Sequence, residues 1–109
     1  MTFHVTILYP ESEGAELDIE YYTSKHMPLV VETWAAFGLK TWQAVKFAPG
    51  LDGSQPYRLA TMTTWENKEG VQQAMAAPGT QALLADVANF TNIQTQILFG
   101  NVIGGSSSA

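Results

Sequence analysis

The chain has 109 residues, enough for one domain with a modest core and too few for two. Five Lys and Arg against ten Asp and Glu leave a net charge of −5, which argues against phosphate-backbone binding, so no nucleic-acid partner is expected. With no cysteine, a disulfide framework, a thiolate nucleophile and a zinc–thiolate site are all excluded.

Phe3, Val5, Ile7 and Tyr9 alternate with Thr2, His4, Thr6 and Leu8, the period of a first strand that Pro10 ends. Ser12-Glu13-Gly14 makes a turn. Asp18 is then placed to cap a helix, with Glu20 in its first turn and Leu17 and Tyr22 as a hydrophobic staple. Ile19, Tyr22, His26, Leu29, Thr33 and Phe37 recur at helical spacing, which puts Tyr21 and Lys25 on the outer face. Pro28 interrupts the ladder near Met27 and opens a second helical piece, and Gly38 stops it.

A second strand is expected from Leu39 to Phe47, and Pro49-Gly50 and Asp52-Gly53-Ser54 lead by a loop to a third, Tyr57 to Trp65. A second helical region runs through Val71, Met75 and Ala76, breaks at Pro78-Gly79 and resumes through Ala82, Leu83 and Val87. The last strand is expected to start near Phe90 and to alternate Ile93, Thr95, Ile97 and Phe99. The order β-α-β-β-α-β is α+β and ferredoxin-like: a four-stranded antiparallel sheet with both helices on one face. Residues 1–103 form the domain, and 104–109, Gly-Gly-Ser-Ser-Ser-Ala, form a flexible tail. No basic region followed by an apolar run opens the chain and no stretch approaches membrane-spanning length, so a cytoplasmic protein with no membrane partner is expected.

Helices cover one sheet face, so the other must be polar or partnered. Its alternating set, Thr6, Leu8, Trp42, Ala44, Ala60, Met62 and Leu98, is neutral and half apolar. The expected cover is the same face of a second copy, a two-fold homodimer whose two sheets form one barrel. The low charged fraction, 14%, points the same way.

The runs Val5-Thr6-Ile7-Leu8-Tyr9-Pro10 and Leu17-Asp18 through Tyr21-Tyr22-Thr23-Ser24-Lys25-His26-Met27-Pro28-Leu29 resemble the EthD (ethyl tert-butyl ether degradation) family. So do Trp34 with Gly38-Leu39, and Ala85-Asp86-Val87-Ala88-Asn89-Phe90-Thr91; departures fall at Ala88, often Pro in that family, and Asn92, often Asp. The resemblance extends to Val102 and implies a dimeric α/β-barrel fold. Related barrels act without metals or prosthetic groups on phenolic or lactone substrates, as cyclases, decarboxylases or isomerases. Others oxidise quinol-like compounds or degrade haem, so the fold alone selects no reaction.

His26 is the leading catalytic candidate, one turn beyond Tyr22 on the apolar stripe, where an imidazole suits proton transfer. The plainer alternative is a buried histidine that bonds backbone and fills space. Tyr22 shares its face as a hydrogen-bond donor, or as a core aromatic with its hydroxyl at a wet edge. Tyr9, Trp34, Trp65 and Phe90 are the candidate walls of a pocket for a hydrophobic or aromatic small molecule. Asp18, Asp86 and Asn89 read as helix-end and turn residues, and His4 as an interface residue. No carboxylate has metal-ligand spacing with either histidine, so no metal and no cofactor is expected; haem on His26 rests on family breadth alone. Taken with the resemblance, the residues lead to the expectation of a cofactor-independent lyase or isomerase of catabolism or secondary metabolism, acting on an aromatic or polyketide-like substrate, or of a non-catalytic accessory dimer that binds one.

Overall fold

Alternation in the strands and apolar stripes in the helices produce one sheet with helices against one face. The computed structural model describes residues 2–106; Met1 and the Ser107–Ala109 end of the expected tail lie outside the described residues. The sheet comprises β1 (Phe3–Pro10), β2 (Leu39–Lys46), β3 (Tyr57–Trp65) and β4 (Gln96–Asn101), in the antiparallel order β2-β3-β1-β4. The first connection holds α1 (Ile19–Tyr21), a π-helical turn (Tyr22–His26), α2 (Met27–Trp34) and a 3-10 turn (Ala35–Phe37). The second holds α3 (Lys68–Ala76), α4 (Pro78–Asp86) and a 3-10 turn (Val87–Asn89). This is the ferredoxin-like α+β fold.

Local signals set the boundaries. The Asp18 side chain accepts the Tyr21 N–H at 3.0 Å, and Asn67 accepts the Gly70 N–H at 2.8 Å, each satisfying an orphan donor at a helix start. Gly38, at φ +98°, takes the left-handed position that ends the first helical run. Facing residues of β1 and β3, such as Val5 and Thr63 or Tyr9 and Leu59, then point to the helices. Met27, Val30 and Leu83 pack there with Tyr9, Tyr22 and Leu59, while Val71 and Ala74 pack with Phe3, Val5 and Trp65.

Two sequence expectations are corrected. The last strand starts at Gln96, not near Phe90: Phe90 closes the 3-10 turn, and its carbonyl accepts the Asp18 N–H at 2.8 Å. The buried Ile93 extends the alternation into a stretch that makes no strand. Trp42 and Ala44 also leave the outer face. An irregularity between Leu39 and Thr41 shifts strand parity, pairs them with Thr63 and Thr61, and packs them against the core. The departure at Asn92 has a structural use: its side chain accepts the Glu16 N–H at 2.8 Å and donates to the Gly14 carbonyl at 3.0 Å. An aspartate could not donate the second bond.

α3 approaches the end of the first helical run without room for a side chain. A Cβ on Gly70 would stand 2.0 Å from the Phe37 carbonyl oxygen, a backbone atom that no rotamer change moves aside. Gly70→Ala is therefore expected to cost about 3 kcal/mol or more and to lower Tm by more than about 10 °C in a scanning calorimetry comparison.

Candidate functional site

Helical geometry places the key side chains, and one irregular turn decides which of them meet. An α-helix brings residues three and four apart onto one face; a π-helical turn reaches back five. Across Tyr22–His26 the Met27 N–H donates to the Tyr22 carbonyl, five residues back. Pro28, just beyond, has no N–H to return to Ser24, so the chain has one less reason to keep the tighter α spacing. Tyr21 and His26, five apart, consequently converge on one group, the Asp86 carboxylate at the end of α4.

The Tyr21 hydroxyl donates to Asp86 Oδ1 at 2.6 Å, and the Asn89 amide donates to the same oxygen at 3.0 Å. His26 Nδ1 bonds Asp86 Oδ2 at 2.9 Å. A carboxylate at a helix C-terminus faces the negative end of the dipole and is disfavoured there. The bonds from Tyr21, Asn89 and His26, in that order of effect, more than compensate and draw the Asp86 carboxyl down to about 2. The same carboxylate holds the Tyr21 phenol above its ordinary range. An ionised carboxylate only accepts, so the network assigns the proton on His26 to Nδ1 and leaves Nε2 as the second ring nitrogen.

Packing fixes the imidazole plane. His26 is 7% exposed; its ring stacks on Tyr22 at 5.5 Å between centroids and tilts against Phe90 at 4.5 Å. The Tyr22 hydroxyl is paired with Thr61 Oγ1 at 2.6 Å, and burial raises its phenol pKa. Burial raises that of Tyr9 as well, with Tyr22 beside it.

His26, Tyr22, Tyr9, Trp34 and Trp65 share the wall of one cavity of about 180 Å3, with Met27, Val30 and Leu83. It lies between the sheet and the helices, and Met75, Leu84, Ile97 and Phe99, all partly exposed, stand at its outer edge. Its buried polar side chains are bonded to one another. Trp34 Nε1–H donates to Thr80 Oγ1 at 2.9 Å, and Thr80 donates to the Ala74 carbonyl. Trp65 Nε1–H donates to Thr63 Oγ1 at 2.8 Å, and Thr63 donates to the Val5 carbonyl at 2.9 Å. Among the described residues His26 Nε2 and the Thr95 hydroxyl make no such bond, and the Tyr9 hydroxyl has the Tyr22 phenol beside it.

The sequence candidates thus divide. His26, Tyr22, Tyr9, Trp34 and Trp65 meet at the cavity, whereas Phe90 lies behind His26 and Tyr22 and braces them. Tyr21 is not on a solvated outer face: it is half-buried and stacks on Phe90 at 6.2 Å, with Lys25 Nζ 5.9 Å from its ring centroid. Asp86 and Asn89 are more than helix-end residues. Sequence reasoning missed this group because 3.6-residue spacing turns Tyr21 away from His26; the usable signal is the five-residue interval ahead of Pro28. Among the described residues no three His, Asp or Glu side chains group as metal ligands, and no helix is long and apolar enough to cross a membrane.

Known proteins match this chain in sequence and in fold. The EthD domain model matches residues 12–94. An uncharacterised 11.0 kDa protein of the thcB–thcC intergenic region of Rhodococcus erythropolis is 37% identical over 99 residues, spanning 89% of this chain and 91% of that protein. An EthD-like protein from Ralstonia eutropha JMP134 has 27% identity and a TM-score of 0.85, covering 97% of this chain and 96% of its own. An EthD family protein from Bacillus halodurans C-125 has 21% identity and a TM-score of 0.75, covering 94% and 100%. The fold also resembles a dimeric ferredoxin-like protein from Jannaschia sp. CCS1, at 18% identity, a TM-score of 0.62, and 93% and 98% coverage.

Removing the Tyr21 hydroxyl tests the carboxylate network. In Tyr21→Phe the Asp86 carboxyl should titrate well above about 2, read by carbon NMR of the side-chain carboxyl. A depressed carboxyl stabilises the fold above its unfolded value and loses that contribution as pH falls through the folded one. The folded wild type, where Asp86 contributes, should therefore persist to lower pH than folded Tyr21→Phe. The two should converge as pH approaches 2.

Proposed function

This chain belongs to the EthD domain family, and from that footing we propose that it is a small-molecule enzyme in which His26 moves a proton. The observation that carries the reading is the His26–Asp86 bond at the wall of an apolar cavity. With Nδ1–H held by the carboxylate, neutral imidazole offers the Nε2 lone pair to an acidic C–H or O–H of a bound molecule. Proton transfer gives an imidazolium, whose charge Asp86 balances, and an enolate or phenolate in a site with little water. Returning the proton to another atom isomerises the substrate; expelling a β-hydroxyl group from the enolate, which takes the imidazolium proton and leaves as water, makes the reaction a dehydration. Each step runs on groups of this chain alone, as in a cofactor-independent lyase or isomerase.

Tyr22 and Phe90 act here as positioning residues, since their rings clamp the imidazole and the Tyr22 hydroxyl serves Thr61. A purely sequestering accessory protein would use the same apolar walls. It would have no use for an ionised carboxylate fixing the imidazole tautomer, and this favours the catalytic reading.

We also assign a homodimer, formed in the cytoplasm through the sheet face away from the helices. Leu8, Met62 and Leu98 lie there, and Leu98 is 54% exposed on an edge strand.

Two measurements test these readings. The enzyme incubated in D2O with small ketones and β-dicarbonyl compounds should exchange their acidic C–H protons, followed by proton NMR. His26→Gln should slow exchange by about 100-fold or more at unchanged Tm, and equal rates would sink the role of His26. Light scattering should give the mass of a dimer for the wild type and of a monomer for Leu98→Lys.

A further inference from the structure

The cavity selects its ligand by charge and by shape. Its volume, about 180 Å3, is close to the cavity of about 150 Å3 that accepts benzene in a protein core. Two indoles form one wall, with ring centroids 5.6 Å apart and tilted by 48°, an aromatic surface that suits a flat ring. Both indole N–H groups and the hydroxyls of Thr63 and Thr80 are already bonded within the protein. The polar groups that remain to address a ligand inside are His26 Nε2 and the hydroxyls of Tyr9, which has the Tyr22 phenol beside it, and Thr95; of these the imidazole is the one base.

No Lys or Arg belongs to the cavity wall, and the nearest fixed charge behind His26 is the Asp86 carboxylate. An anion entering would lose its hydration, meet no cation and face that carboxylate. Lys68 instead lines an open groove beyond the mouth, with Phe3, Val71, Gln72, Met75 and Phe99. The groove and the cavity share Met75 and Phe99.

We propose that the cavity takes an electrically neutral ligand whose leading end is a single ring bearing one acidic O–H or C–H, directed at His26 Nε2. A carboxylate or phosphate on that end is rejected, and any further substituent must leave through the mouth over Met75 and Phe99. A fused polycyclic body does not pass inside. The inference rests on the reading of this cavity as the reaction site and supplies the ligand class for it.

Binding can be read without turnover. The chain has three tryptophans, of which Trp34 and Trp65 line the cavity, so their indole N–H signals in nitrogen–proton NMR report on occupancy. Titration at pH 7 with phenol, toluene, benzoate and 9-phenanthrol provides the test. Phenol should shift both indole signals and bind about 2- to 10-fold more tightly than toluene, the value of one neutral hydrogen bond. Benzoate should bind at least about 10-fold more weakly than phenol, and 9-phenanthrol should leave the two signals in place. In His26→Gln, compared at matched Tm, the preference for phenol over toluene should change while toluene binding persists. Benzoate equal to phenol, indole shifts from 9-phenanthrol as large as those from phenol, or no response to any of the four would overturn the proposal. Phenol binding without any proton exchange would overturn the catalytic role of His26 and leave the ligand assignment supported.

Discussion

A single carboxylate holds the functional end of the molecule together. Asp86 stands at the end of α4, where the helix dipole opposes a negative charge, and it is kept ionised by donors from two connections of the chain. Tyr21 and His26 come from the first helical run and Asn89 from the turn after α4. The bonds therefore tie the two helical connections to each other beside the cavity. They also set the imidazole tautomer, so fold and candidate chemistry rest on the same few contacts.

The cavity gains its character from how its two indoles are answered within the protein. Indoles facing a chamber would ordinarily offer N–H donors to whatever enters. Here each is turned to a threonine, and each threonine passes its own proton to a backbone carbonyl. The two chains of bonds close on the protein. The histidine is left, with the Tyr9 and Thr95 hydroxyls, as a polar feature of a mostly apolar room. Tyr22, packed flat against that histidine and tethered to Thr61, keeps the ring from swinging out of line.

Much of the fold was readable because alternation and capping are local. Asp18, Gly38 and the paired patterns of Phe3 to Tyr9 and Tyr57 to Trp65 each declare their role within a few residues. Two of the misreadings share a cause: one residue too many in a regular element. The irregularity beside Lys40 reverses the parity of β2 and brings Trp42 and Ala44 inward. The extra residue in the Tyr22–His26 turn likewise brings Tyr21 round to Asp86. Asp86 was invisible for a further reason: its partners Tyr21 and His26 lie 65 and 60 residues away, and a carboxylate at a helix end looks the same whether it meets water or an imidazole. His26 stood out by its place on the apolar stripe, and His26 with Tyr9, Tyr22, Trp34 and Trp65 does meet at one cavity.

The π-helical turn has one more consequence. Each residue of an α-helix advances the direction of its side chains by about 100°, so a turn with one residue in excess divides the run into two segments out of phase by that angle. Tyr21 and its upstream neighbours answer to Asp86 and Phe90; Met27 and Val30 answer to the sheet. Trimming the turn to regular pitch would satisfy one segment by rotating the other off its partners. The irregularity thus acts as a coupling between two docking angles, and the fold cannot be tidied there without dismantling the grip on the histidine.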